Sequence, residues 1–206
     1  MKTRVGILIS GRGSNLLSLI QAARARDYPA EIAVVLSNRA EAGGLARARD
    51  SGIPALAVPS RPFGPDRAAH EAALIAALER AGVEIICLAG YMRLFTPYFV
   101  QRWAGRILNI HPSLLPAFPG VDTHARVLAA GVKLHGCTVH LVTEAMDEGP
   151  ILAQAAVPVL SDDTEDSLGA RVLAQEHLLY PAALRRFLAG HGGEADAAAA
   201  LRNPAD

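Results

Sequence analysis

Asparagine and histidine stand two residues apart at the end of an apolar run, Ile107-Leu108-Asn109-Ile110-His111-Pro112, where both could donate hydrogen bonds to a carbonyl oxygen that gains negative charge. On an extended backbone Asn109 and His111 project from one face, and Ile110 between them points into the opposite layer. Pro112 has no donor for a sheet ladder and biases His111 away from helical geometry, so the strand ends there. A donor pair at the carboxyl end of a central strand suits a developing oxyanion. The plain alternative is a satisfied polar pair that anchors the following proline-bounded loop.

A second constellation lies near the N-terminus, where the apolar run Val5 to Ser10 meets Gly11-Arg12-Gly13-Ser14-Asn15 and then residues with helical spacing. Strand, glycine turn and helix form a phosphate cradle, because glycine lets the backbone approach an anion and a helix N-terminus offers unpaired N–H groups. Leu16 occupies the third glycine position of a dinucleotide fingerprint, and Asn38 stands where its acid belongs. There is also no G-K-[ST] for a nucleoside triphosphate, so a phosphate monoester fits better than NAD or ATP. The alternative here is an ordinary βα turn in which Ser14 or Asn15 caps the helix.

Asp147 falls in a short loop beside glycine and proline, where an acid by default is solvated turn chemistry. If that loop folds over the cleft, its carboxylate near His111 favours the protonated imidazole. Glu176, inside a C-terminal helix, reads by the same default as part of a solvated face. The chain has seven histidines, which raises a metal reading, but His135 and His140 are an odd five apart on a strand and no H-E-x-x-H or C-x-x-C occurs. No catalytic metal is expected. Ser113 is not in a G-x-S-x-G elbow and reads as a turn residue.

Strands are expected at 5–10, 31–37, 55–58, 84–90 and 106–111, with helices at 42–51, 66–81 and 97–103 between them. Asp66 and Thr96-Pro97 give helix starts, and Gly52 and Gly82 give stops. In the helix at 66–81 the alanines Ala69, Ala72, Ala73, Ala76 and Ala77 with Leu78 suggest a small-residue packing face. Thr123 to Ala130 reads as a helix stopped by Gly131. Two strands at 135–142 and 151–157 joined by a short loop suggest an antiparallel pair. A helix with an acidic start at 162–166 runs to about Gly190 and should bend at Pro181. This alternation gives an α/β fold with a mostly parallel sheet and helices on both faces, whose ligands bind at the carboxyl ends of strands. The glycine turn, Gly90 and Asn109 with His111 all lie at such ends, so one cleft could hold them.

At 206 residues, 51% of them hydrophobic, the chain can bury the core of one domain, read here as 1–190 with a loosely held alanine-rich tail over 191–206. Twenty basic residues balance twenty acidic ones, which gives no electrostatic reason to expect nucleic acid or a membrane surface as partner. Without a signal peptide or an apolar span the chain reads as cytoplasmic, and Cys87 and Cys137 as two buried free thiols. Monomer and homodimer both stay open.

Five segments together carry a resemblance: Ser10 to Leu16, Leu88 to Arg93, Leu108 to Pro116, His135 to His140, and Asp147 with Gly149-Pro150. In order and spacing they resemble the phosphoribosylglycinamide formyltransferases, the folate-dependent enzymes of purine biosynthesis. The run Asn109 to Pro116 alone marks the wider formyl-folate group, which includes methionyl-tRNA formyltransferase and formyltetrahydrofolate deformylase. Ser10 to Asn15 separates them, and each of those two enzymes would need a further domain.

The resemblance implies a Rossmann-like fold and formyl transfer from 10-formyltetrahydrofolate, as cosubstrate, to the amine of glycinamide ribonucleotide, with no metal. It implies Asn109, His111 and Asp147 as catalytic residues. Gly13, Ser14 and Asn15 would hold the substrate phosphate, with Gly90 nearby and Glu176 on the ribose hydroxyls. Folate would lie against Met92, Arg93, Leu94 and Phe95, against Asn109, and against Thr143, Glu144, Ala145, Met146 and Asp147, with Arg67 near its tail. Tyr91, Cys137 and the short tail depart mildly from the pattern. Hydrolysis of 10-formyltetrahydrofolate, or a non-catalytic module that binds a phosphometabolite, are the alternative functions.

Overall fold

Apolar runs of strand length alternate with helices from the third residue onward. The computed structural model describes residues 1–191 and 201–202. The first elements are β1 (Thr3–Ile9), α1 (Ser14–Ala23), β2 (Ala30–Ser37), α2 (Gly43–Asp50), β3 (Ala55–Ala57), α3 (Arg67–Arg80), β4 (Ile85–Leu88), α4 (Pro97–Arg102) and β5 (Ile107–His111). Then come α5 (Thr123–Ala130), β6 (Leu134–Leu141), β7 (Ile151–Pro158), α6 (Glu165–Arg186) and the short β8 (Leu201–Arg202). The backbone divides into two compact units, Met1–Asn109 and Ile110–Asp206. The α/β class, mostly parallel with an antiparallel pair near the C-terminus, is as the alternation predicts.

In the first unit the strand order is β3-β2-β1-β4-β5, every pairing parallel. Val5, Ile7, Leu8 and Ile9 of β1 and Ile86 and Cys87 of β4 are buried, as befits central strands covered on both faces. Leu16, Leu19 and Ile20 of α1, at helical spacing, are buried too.

The packing face of α3 differs from the expectation. Ala72 and Ala76 are exposed, and the buried stripe runs through His70, Glu71, Leu74, Ile75, Ala77 and Leu78. Leu74, Ile75 and Leu78 remove far more apolar surface from water than the alanines can, and they set the helix rotation. The two polar members of that stripe are held by specific bonds. His70 Nε2 donates to Val58 O at 2.9 Å, and Glu71 accepts from Thr96.

In the second unit β6 and β7 pair antiparallel, with a register shift between Val139 and His140. Gly136 is required there, since a Cβ would stand 1.9 Å from Ala155 O of the facing strand. Helix α6 packs on both strands and buries Leu168, Val172, Leu179, Tyr180 and Leu184. Its first turn carries Glu165 and Asp166, and Thr164 and Ser167 form a reciprocal capping box. Pro181 sits inside α6 without ending it. Cys87 and Cys137 are buried and outside any disulfide, as the sequence predicts. The expectation for the tail falls outside the described residues, except for His191 and for β8, which pairs parallel with β7. Among the described residues no helix is long and apolar enough to cross a membrane.

Candidate active site

Strand β5 delivers the residues read first from the sequence. Ile107, Leu108 and Ile110 are buried, Asn109 is half-buried, and His111 is buried as the last residue of the strand. Beyond it the loop 112–120 is pinned from β6 and β7. Thr138 Oγ donates to Ser113 O at 2.7 Å and accepts from Leu115 N at 3.0 Å, while Gln154 Nε2 donates to Leu115 O at 2.8 Å. Ser113 Oγ donates to Ala117 O at 2.7 Å, the turn role expected of it.

Two backbone groups of that loop meet the acid and the imidazole. His111 Nε2 donates to Phe118 O at 3.1 Å, which fixes a proton on Nε2 because a carbonyl can only accept. Gly120 N donates to Asp147 Oδ2 at 2.8 Å. The same Oδ2 lies 3.6 Å from His111 Nδ1, and Oδ1 lies 3.8 Å from His140 Nε2. The Asp147 side chain is 11% exposed, so the loop holds the acid inward between two imidazoles. The default of a solvated turn acid does not apply.

Asp147 has φ +58°, a left-handed conformation that costs a non-glycine residue about 1 kcal/mol or more and is held only by its surroundings. Gly149 supplies the hold. Its backbone passes so near β6 that a Cβ would lie 1.7 Å from Leu141 O. Thr143, Glu144, Ala145 and Met146, the rest of the loop, are exposed.

Glu176 corrects the other default, since it is buried in α6 instead of lying on a wet face. Burial first and the Glu176 charge second push the Cys137 thiol up.

In the first unit, Gly13 caps α1 with φ +75° and no side chain caps the helix, so Ser14 and Asn15 are its first two residues instead of its cap. A Cβ on Gly13 would meet the Gly44 Cα at 2.9 Å, so the glycine is required by backbone contact as well as by its φ. Gly90 follows β4 and accepts from Ser10 N at 3.1 Å. Ser10 Oγ donates to Asn38 Oδ1 at 2.6 Å and accepts from Met92 N at 2.8 Å, and Arg67 Nη2 donates to Leu94 O. Met92 and Leu94 are 66% and 61% exposed, while Arg93 and Phe95 are half-buried. Phe95 stacks between Tyr91 and Phe99 at centroid distances of 5.1 and 4.1 Å.

Three functional candidates escaped the sequence reading. His140 enters the sequence reading as a possible metal ligand and as the end of the segment His135 to His140, not as a partner of Asp147, which it faces. Ser10 ends an apolar strand and gave no polar signal of its own. Gly120 acts through its backbone, which no side-chain pattern reveals.

Histidine burial carries a pH consequence. Burial pulls His70, His124, His140 and His177 below the ordinary imidazole range, and burial together with the His124 and His111 charges brings His135 to about 4. His124 Nδ1 and His135 Nε2 are 3.0 Å apart, so the pair cannot accept a second proton without opening. Groups lowered on folding bind more protons when unfolded, so their stability contribution is complete above about pH 6.5 and is lost as pH falls. Stability is expected to drop steadily from pH 7 toward 4, by up to about 1.4 kcal/mol per pH unit for each proton refused, and the melting temperature falls with it. A flat profile across that window in a thermal-shift series would contradict it.

Comparison with known proteins assigns the family. The formyl transferase family model matches residues 3–184. The chain is 44% identical over 184 residues to the phosphoribosylglycinamide formyltransferase of Escherichia coli, covering 89% of this chain and 86% of that one. A solved phosphoribosylglycinamide formyltransferase from Brucella melitensis superposes with a TM-score of 0.88 at 59% identity, covering 92% of this chain and 97% of its own. Similarity also extends to the trifunctional purine biosynthetic protein adenosine-3 of Drosophila melanogaster, at 47% identity over 191 residues, but the chain spans only 14% of that protein's length. With nearly its whole length matched at such identity, this chain belongs to the formyl transferase family.

Proposed function

We propose that this chain transfers the formyl group of 10-formyltetrahydrofolate to the amine of glycinamide ribonucleotide, giving formylglycinamide ribonucleotide and tetrahydrofolate. The observation that carries the reading is the Asp147 carboxylate held 3.6 Å from His111 Nδ1 by a strained loop, with His111 ending the strand that also bears Asn109. The amine nitrogen attacks the formyl carbon, whose oxygen takes the electron pair and becomes an oxyanion. Asn109 and a protonated His111 donate to it. Collapse breaks the bond to the folate nitrogen, which takes a proton, while the new amide nitrogen gives one up. Asp147 serves that exchange by supporting the imidazolium and by relaying the proton through water.

The binding roles follow the resemblance. Gly13, Ser14 and Asn15 hold the phosphate monoester, Glu176 the ribose hydroxyls, and Gly90 lies beside the nucleotide. The N-terminus of α1 supports the first of these, since Gly13 at its N-cap puts no side chain between the first turn and an anion. In the first unit Met92 and Leu94 are more than half exposed and offer apolar side chains for a pterin, and Arg67 offers a cation for the acidic tail; in the second unit Met146 is likewise more than half exposed. Residues 1–190 act as one formyltransferase domain, in the cytoplasm, on two small molecules and without a metal.

Purified chain incubated with both substrates and a chelator is expected to yield formylglycinamide ribonucleotide, detectable by mass. Its absence with folded protein would refute the proposal. Gly13→Ala is expected to raise the KM for the nucleotide at least about tenfold, because a left-handed cradle and its contact with Gly44 are both lost. An unchanged KM would remove Gly13 from the phosphate site.

A further inference from the structure

Helix α3 grips the segment that follows β4 at two points one helical turn apart. Arg67 Nη2 donates to Leu94 O, and four residues later Glu71 receives both polar groups of Thr96, the backbone N–H on Oε1 at 2.7 Å and the hydroxyl on Oε2. Glu71 is 2% exposed, an unusual setting for a carboxylate unless donors satisfy it. Thr96 stands at the N-cap of α4, yet its side chain makes no cap bond to that helix. The hydroxyl is spent on Glu71 instead.

The other end of the segment is fixed independently. Met92 N donates to Ser10 Oγ, which is itself oriented by Asn38. The backbone of 92–96 is thus tied at Met92, Leu94 and Thr96, while the Met92 and Leu94 side chains remain exposed. A stretch with pinned backbone and free apolar side chains is organised in advance for a flat ligand, and the ordering entropy is met on folding instead of on binding.

We infer that Glu71, through Thr96, is a positioning residue for the folate cosubstrate: the buried carboxylate sets the conformation of the 92–96 segment against which the pterin lies. This rests on the formyl-transfer reading above for the identity of the ligand. Glu71 touches neither substrate; it acts by removing alternative conformations of Leu94, Phe95 and Thr96. Substituting Gln for Glu71 turns an amide N–H₂ toward one of the two Thr96 donors. Thr96→Val keeps the shape and removes the hydroxyl, and Thr96→Ser keeps it.

The test compares Glu71→Gln, Thr96→Val and Thr96→Ser with the unmodified chain in steady-state turnover, in calorimetric titration with 10-formyltetrahydrofolate, and in thermal melting. The expected result is a folate KM and Kd raised about tenfold or more in Glu71→Gln and Thr96→Val, the scale of a lost hydrogen bond to a charged group. The KM for glycinamide ribonucleotide should stay within about twofold, kcat should fall less than the folate KM rises, and Thr96→Ser should behave as the parent. Folate constants within twofold of the parent in both variants would overturn the inference, and so would equal rises in both substrates' KM values with a lowered melting temperature. The formyl-transfer reading fails separately, if the unmodified chain binds or turns over no 10-formyltetrahydrofolate.

Discussion

Asp147→Asn is expected to lower turnover by about 10²–10⁴, the usual scale of a lost acid–base contribution, with the fold intact. The variant keeps the side-chain shape and one oxygen that can still accept the Gly120 N–H, now 2.8 Å away. What it removes is the negative charge facing His111 Nδ1 at 3.6 Å and His140 Nε2 at 3.8 Å. Phe118 O fixes the Nε2 proton of His111, so Nδ1 is the ring nitrogen that faces Asp147. His111→Ala removes the donor itself and should fall in the same range. Because the two act as a unit, the double variant should be little worse than either single one. Melting temperature and the KM for the nucleotide, read beside kcat, separate lost chemistry from lost structure. Near-normal turnover in either single variant would remove that residue from the catalytic role.

Gly149→Ala is the second substitution with a large expected effect. A methyl group at this position would begin 1.7 Å from Leu141 O, far inside contact distance, so the loop must move away from β6. Asp147 lies two residues back with φ +58°, and its carboxylate follows the loop. A displacement of about 1 Å at a reacting group can lower the rate about 10²-fold. We expect a loss of that order in kcat and a lower melting temperature. Glu148→Ala, at an exposed neighbour, should change neither by much. A Gly149→Ala enzyme with normal kcat would mean that another contact holds the acid.

Much of the architecture was legible because the physics that sets it is local. Buried parallel strands read as unbroken apolar runs, glycines marked helix stops such as Gly131, and Asp66 announced α3, whose Ala69 N–H it accepts. What failed depended on contacts distant in sequence. The face of α3 was misjudged because alanine spacing looked like a packing stripe, while Leu74, Ile75 and Leu78 decided the rotation. Glu71 carries no signal of its own in the sequence; only Thr96, 25 residues on, explains its burial.

The same holds at the site. Asn109 and His111 stood out through strand spacing, and the glycine turn through its neighbours. Asp147 alone read as a turn acid, and only the resemblance to a formyltransferase lifted it above that. Its inward placement depends on Gly120, Gly149 and a left-handed backbone angle. Glu176 was misread for a similar reason, since nothing in α6 itself says which face packs on β6 and β7.

The most direct measurement follows tetrahydrofolate release by the purified chain from 10-formyltetrahydrofolate, with and without glycinamide ribonucleotide. Formyl transfer requires release that depends on the amine and matches formylglycinamide ribonucleotide one for one. Equal release without the amine would mean that water is the acceptor and the chain is a hydrolase. No release in either case from folded protein would contradict catalysis by Asn109, His111 and Asp147 altogether.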